Sequence, residues 1–316
     1  MLKFIKEIQD RAHVIETDEK GIYGGANKNV QLFLKGENDF SFEYYVNPKV
    51  GHRKVQQDIG DVLDTKSSEM ALFARNFFNE STKENFHELI NSYYVEFLAL
   101  LAASRKGTEL PARLDTNLAS LGLFSLCFLS KQDQVIIAQY FKSFLEKQIQ
   151  LADQEDYIAH KRCYGAHTLL PLYICMSDCA QNEFETFNEF NLLVDGEDTP
   201  LRTEIKENFT ALYCKAYENY LSDDEVMVKD LFQSLGDFHL NNCRSDNEDF
   251  YVFDSIEWQF MPGEMLALIK GRHLSGKNND FISHELVDKF LPFISYGEEI
   301  ITKENILLKN EILNRL

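Results

Sequence analysis

The 316-residue chain is short of turn-forming residues: its 15 glycines and 6 prolines make up about 7% of it, against roughly 12% in an average protein. So few chain-reversing residues argue against many short strands and for long helices. Basic charge is scarce too. Lys and Arg number 32 against 51 Asp and Glu, which leaves a formal charge of −19. A chain so poor in basic surface is a weak ligand for phosphate backbones, which argues against nucleic acid as a direct partner. Six cysteines (Cys127, Cys163, Cys175, Cys179, Cys214, Cys243) are too sparse for a disulfide scaffold and predict reduced thiols. The most apolar stretch, Leu118–Leu129, falls far short of the ~20 residues that span a bilayer. The N-terminal stretch Met1–Arg11 is amphipathic and charged, without the apolar core of a signal peptide. These absences predict a cytoplasmic protein that does not engage a membrane.

Apolar and aromatic residues are well represented, at 44% and 13%, which excludes a disordered acidic tail and allows a sizeable core. Residues 1–12 read as a helix, and 17–29, with Gly21, Gly24 and Gly25, as a loop. Val30–Leu34 and Phe40–Val46, flanking the polar Lys35–Asp39, suggest a small β-hairpin. From about residue 66 the three-and-four spacing of a helix takes over, as in Met70, Phe73, Ala74 and Phe77. Ser81-Thr82-Lys83-Glu84, Ser130-Lys131-Gln132-Asp133 and Ser222-Asp223-Asp224-Glu225 are capping signals, and Thr199-Pro200 is a cap followed by proline. Leu118–Leu129 is apolar nearly all round and predicts a central helix. Helices are also expected over Val226–Asn242, Pro262–Leu274, Ser283–Phe293 and 303–316. The expected architecture is mainly α, stacked antiparallel helix pairs with a small N-terminal hairpin. Residues 1–65 form an N-terminal segment and 66–316 a helical domain.

Residues 181–260 hold 19 acids and 5 bases, net −14, so a quarter of the chain carries most of the imbalance. Such a run is either a solvated surface or a docking face for a basic partner, where charge raises association rate and selects against wrong partners. Within it, Tyr251, Trp258 and Phe260 are candidate apolar anchors beside Asp246, Glu248, Asp249, Asp254 and Glu257. Asp223, Asp224 and Glu225 form a second cluster with Asp195, Glu197 and Asp198.

Two chemical readings compete. His160, Cys163 and His167 share a helical face, with Cys175 and Cys179 further on, yet their spacing does not match zinc knuckles and a packed core is favoured. No metal or cofactor is expected. Gly236-Asp237-Phe238-His239-Leu240-Asn241-Asn242, followed by Val252-Phe253-Asp254, resembles the catalytic and metal loops of aminoglycoside- and choline-kinase-like phosphotransferases. That resemblance implies Asp237 orienting a substrate hydroxyl, with Asn242 and Asp254 holding Mg²⁺. Leu235 stands where the family has His, and no nucleotide-binding hairpin with a partnered Lys precedes it. If the helix that starts near Val226 continues, Asp237 and Asn242 lie about 140° apart around its axis.

The last third has its own pattern. An amphipathic helix (Val226–Asn242) leads through the polar Arg244–Asp249 to an aromatic-acidic segment, Phe250–Phe260. Then come Pro262-Gly263-Glu264-Met265-Leu266-Ala267-Leu268-Ile269-Lys270-Gly271-Arg272 and, after a linker, Asp280–Leu291. This resembles the C-terminal region of the all-helical immunity proteins that accompany bacterial polymorphic toxins, including type VI secretion effectors. The match covers about 220–300 well and 66–220 loosely. It implies a cytoplasmic protein, not an enzyme, that neutralises a cognate toxin by binding it. An acidic helical surface could fill the basic cleft of a nucleic-acid-targeting toxin in place of phosphate. Association with a second copy stays open.

Overall fold

The computed structural model describes residues 4–18, 22–38, 40–47, 49, 51–106, 114–152, 169, 172–180, 211–243, 253 and 256–316. The chain is mainly helical, with a two-stranded antiparallel sheet near the N-terminus. It divides into two compact units, Met1–Leu110 with Glu299–Leu316, and Pro111–Glu298. The chain's last helix returns to the first unit.

In the first unit, α1 (Ile5–Thr17) buries Ile5, Ile8, Ala12 and Ile15 and packs against α4 (Met70–Asn79). α2 (Ile22–Leu34) occupies most of the stretch that reads as a loop. Gly24 and Gly25 weaken it locally, but Ala26, Asn29, Val30 and Phe33 fall on one buried stripe, and tertiary burial overrides propensity. Gly36, at φ +100, ends this helix. Its amide reaches the Phe33 carbonyl and the Glu37 amide reaches that of Leu32, a left-handed cap suited to glycine. Lys35–Asn38 is thus a helix end, and the hairpin pairs β1 (Phe40–Asn47) with β2 (Gly51–Gln57) instead of with Val30–Leu34. α3 (Ile59–Ser67) opens on a reciprocal Asp58–Asp61 cap and packs on α5 (Lys83–Lys106), which is buried along most of its length. Thr82, one residue later than the sequence suggests, caps α5 by accepting the Asn85 amide at 3.2 Å.

In the second unit, α6 (Leu114–Phe128) is the expected central helix and α7 (Lys131–Ala152) follows, opened by Ser130, which accepts the Asp133 amide. Residues 172–176 and 211–219 are helical. α8 (Glu225–Asn241), the short α9 (Ile256–Phe260) and α10 (Gly263–Leu274) complete the set. α10 is buried from Gly263 through Lys270 and packs on α6, where a Cβ on Gly263 would lie 3.3 Å from the Ser120 carbonyl oxygen. Its buried Lys270 donates to the Ile294 and Tyr296 carbonyls at 2.8 and 2.7 Å.

Ser283–Phe293 is not an α-helix. It is a run of turns ending in a 3₁₀ turn, Leu291–Phe293. The Asp288 carboxylate accepts the His284 amide at 2.9 Å and His284 Nδ1 accepts the Leu286 amide at 3.2 Å, local bonds that compete with helix continuation.

The closing helix α11 (Lys303–Arg315) packs on α5 in the first unit through buried amides. Asn91 donates to the Ile300 carbonyl at 2.9 Å, and its Oδ1 accepts from the Thr302 amide at 2.8 Å and from Asn305 Nδ2 at 3.0 Å.

Candidate partner-binding surface

Arg272, in the last turn of α10, builds one corner of the second unit. Its guanidinium is buried, which pulls its pKa down against the opposing effect of Asp223 and Glu225. It donates to the carbonyls of Tyr220, Ser222 (3.0 Å) and Asn278 (2.8 Å), and to Asn279 Oδ1 (3.0 Å). The planar fork of arginine can serve these acceptors together, where lysine could not. Gly271 lets the Tyr220 ring lie against α10, since a Cβ there would sit 2.8 Å from it. Gly276, at φ +70, turns the chain after α10 so that the Lys277 amide caps the Arg272 carbonyl. Lys277 Nζ then pairs with Asp223 at 2.7 Å and holds that carboxyl below its ordinary range.

The three acids of this turn have different duties. Asp224 is the cap of α8, accepting the Met227 amide at 3.0 Å, and Ser222 Oγ in turn accepts the Asp224 amide. The capping residue is therefore Asp224, not Ser222. Asp223 keeps 86% of its side chain exposed despite Lys277. Glu225 is exposed in the first turn, where the helix dipole favours it. Exposed apolar side chains lie near them along the chain: Val226 is 72% accessible, with Tyr217 and Leu221 at 38%, and Leu274, two positions after Arg272, is also 72% accessible. An Arg272→Ala variant is expected to lose about 2 kcal/mol, because several part-buried carbonyls lose their donor and the buried side chain leaves a gap. Faster hydrogen exchange at 220–226 than in the rest of α8 would check it.

The other sequence candidates are placed differently. Trp258 is 2% exposed, its ring 6.4 Å from that of Phe124, and Phe260 packs on Phe290. Both are core residues, so neither is a surface anchor; a bulky aromatic beside acids reads alike in a core and at an interface. Glu257 is partly exposed on α9. Asp246, Glu248, Asp249, Tyr251 and Asp254 lie outside the described residues, as do Asp195, Glu197 and Asp198. So do His160, Cys163 and His167, while Cys175 and Cys179 are partly exposed.

α8 runs unbroken through Gly236 and Asp237 to Asn241. Asp237 is exposed and accepts from Gln233, while Asn242, at the C-cap, donates back to the Phe238 carbonyl. The loop that a phosphotransferase reading needs is a helix here. Among the described residues no group of three or more His, Cys, Asp or Glu is arranged to hold a metal ion. No described helix is long and apolar enough to cross a membrane.

One buried polar cluster escapes sequence reasoning. His239, wholly buried on α8, sets Nδ1 2.6 Å from Glu264 Oε1 and Nε2 3.0 Å from the Gln259 carbonyl. Both ring nitrogens face acceptors, so the charged imidazolium satisfies the site. Burial alone would pull its pKa down; Glu264, with a further contribution from Cys243, outweighs that and raises it well above the ordinary value. The Phe253 ring lies 3.8 Å from the imidazole, and the Phe253 carbonyl accepts from Gln259 Nε2. His239 belongs to the apolar stripe of α8, a usable sign of its burial, but nothing in sequence marks a partner 25 residues on. This cluster clamps α8, α9 and α10 together. Cys127 is buried as well, and burial pushes its thiol up to about 12.

Comparison with protein-family models, with curated proteins and with solved structures finds no match for the chain.

Proposed function

We infer that this protein is an immunity protein: it binds a cognate antibacterial toxin and neutralises it, without making or breaking bonds itself. The supporting observation is the Arg272 corner, where Asp223 and Glu225 flank a turn fixed by part-buried hydrogen bonds and the next residue, Val226, is exposed, as is Leu274 two positions after Arg272. Interfaces need a desolvated apolar centre as well as charge, because charge mainly governs rate and specificity. This corner supplies both in a preorganised form, which lowers the ordering cost of association. The partner that fits is an intracellular toxin with a basic cleft, of the kind that grips nucleic acid. The preference for a basic partner follows from the net −14 of residues 181–260.

The experiment is co-purification with the product of the adjacent gene, together with growth of cells that express that product. Stable capture and restored growth are the expected results. No capture and no protection would remove the reading.

A further inference from the structure

The β1–β2 hairpin inverts the charge of the chain. Lys49, His52, Arg53 and Lys54 fall within six positions of a polypeptide whose formal charge is −19. All four are exposed. The register sets Lys54 opposite Glu43, Arg53 opposite Tyr44 and His52 opposite Tyr45. Because side chains alternate, positions 52 and 54 share one face of the ribbon and position 53 takes the other. No residue of β2 is buried. The root of the hairpin is fixed where Phe40 meets the Phe33 ring in an edge contact. Beyond that root lies a two-stranded ribbon, which in water is marginal until a third strand or a packed surface completes it.

The surface that completes it should be acidic. Nucleic acid fits poorly, because a chain of this net charge repels a polyanion at long range. Edge-to-edge pairing of two hairpins would bring the basic rows of both copies together. The Arg272 corner has the opposite sign and adds exposed Leu221, Val226 and Leu274. We propose that the β1–β2 hairpin docks on the acidic Tyr217–Val226 corner of a second copy of this chain. This rests on reading that corner as a receptor for basic surface. The hairpin occupies it as a stand-in for the toxin, so toxin binding and self-association compete.

The test is light scattering on the full chain after size exclusion, at about 100 µM protein in low and high salt, since such contacts weaken as the Debye length falls from ~10 Å to ~3 Å. The wild type should associate at low salt and dissociate at high salt. Arg53→Glu/Lys54→Glu and Asp223→Lys/Glu225→Lys should each be monomeric, with association at least tenfold weaker. Mixed, they should recover a one-to-one complex of twice 36.7 kDa, because each retains the half the other lacks. Lys6→Glu/Lys28→Glu makes the same charge change at exposed sites of the same unit and should associate like the wild type. A monomeric wild type at low salt, variants that still associate, or failure to complement on mixing would each overturn the proposal. So would an oligonucleotide that binds the wild type and is lost only in the hairpin variant. Toxin capture by a monomeric wild type would sink this proposal while leaving the reading of the corner intact.

Discussion

Glu264→Ala should destabilise the Pro111–Glu298 unit by about 3–5 kcal/mol, because it strands a buried imidazolium without its counter-charge. For a unit of this size that is a fall of roughly 10 °C in its unfolding midpoint. Replacing both partners with apolar residues, as in His239→Leu/Glu264→Met, should cost much less, since no charge is then left in the core. Calorimetry on the three proteins decides; a double variant as unstable as Glu264→Ala would contradict the account. The pH dependence has a fixed sign. The folded pKa of His239 is raised, so its contribution is complete below the unfolded value of about 6.5 and is lost as pH climbs through the folded value. The stability gap between wild type and His239→Gln should therefore narrow on going from pH 6 to pH 9. A gap that widens would refute the charged imidazole.

Gly236→Ala should be nearly as damaging. A Cβ there would intrude on the His284 ring, which lies directly against α8. The expected loss is about 2–3 kcal/mol, since neither the helix backbone nor the ring, held by its Nδ1 bond to the Leu286 amide, can move freely. In an exposed helix the same change would gain stability. Adding His284→Ala makes room, so the double variant should be less unstable than the two single losses combined. Strict additivity in denaturant titrations would show that the ring is not the obstacle.

These two effects mark the limit of what the sequence discloses. Helices with a strong apolar period, such as those containing Phe86–Leu101 and Val228–His239, are legible because burial follows the helical repeat. Gly236 is legible only as a small residue within such a repeat; that it faces an imidazole 48 positions later is set by tertiary packing. The same applies to α2, where glycines suggest a loop until the stripe Ala26, Asn29, Val30, Phe33 finds a surface to cover. The return of α11 to the first unit depends on Asn91, more than 200 residues away. At the candidate surface, Asp223, Asp224 and Glu225 are readable as an acidic turn. Their division into an ion pair, a helix cap and an exposed charge is not, nor is the buried Arg272 that holds them in place.

The proposed function places toxin binding on the acidic, apolar-studded corner and requires no reaction centre. The Asp223→Lys/Glu225→Lys/Val226→Ser variant keeps Asp224 as the cap of α8 and leaves Arg272 and the His239–Glu264 clamp untouched. Calorimetric titration of toxin into wild type and this variant tests the claim directly. The expected result is binding at least 100-fold weaker for the variant, a loss of roughly 2.7 kcal/mol or more, with a melting temperature only a few degrees lower, because the exposed Asp223–Lys277 pair and the acid at the start of α8 are lost. Equal affinity of the two proteins would contradict it.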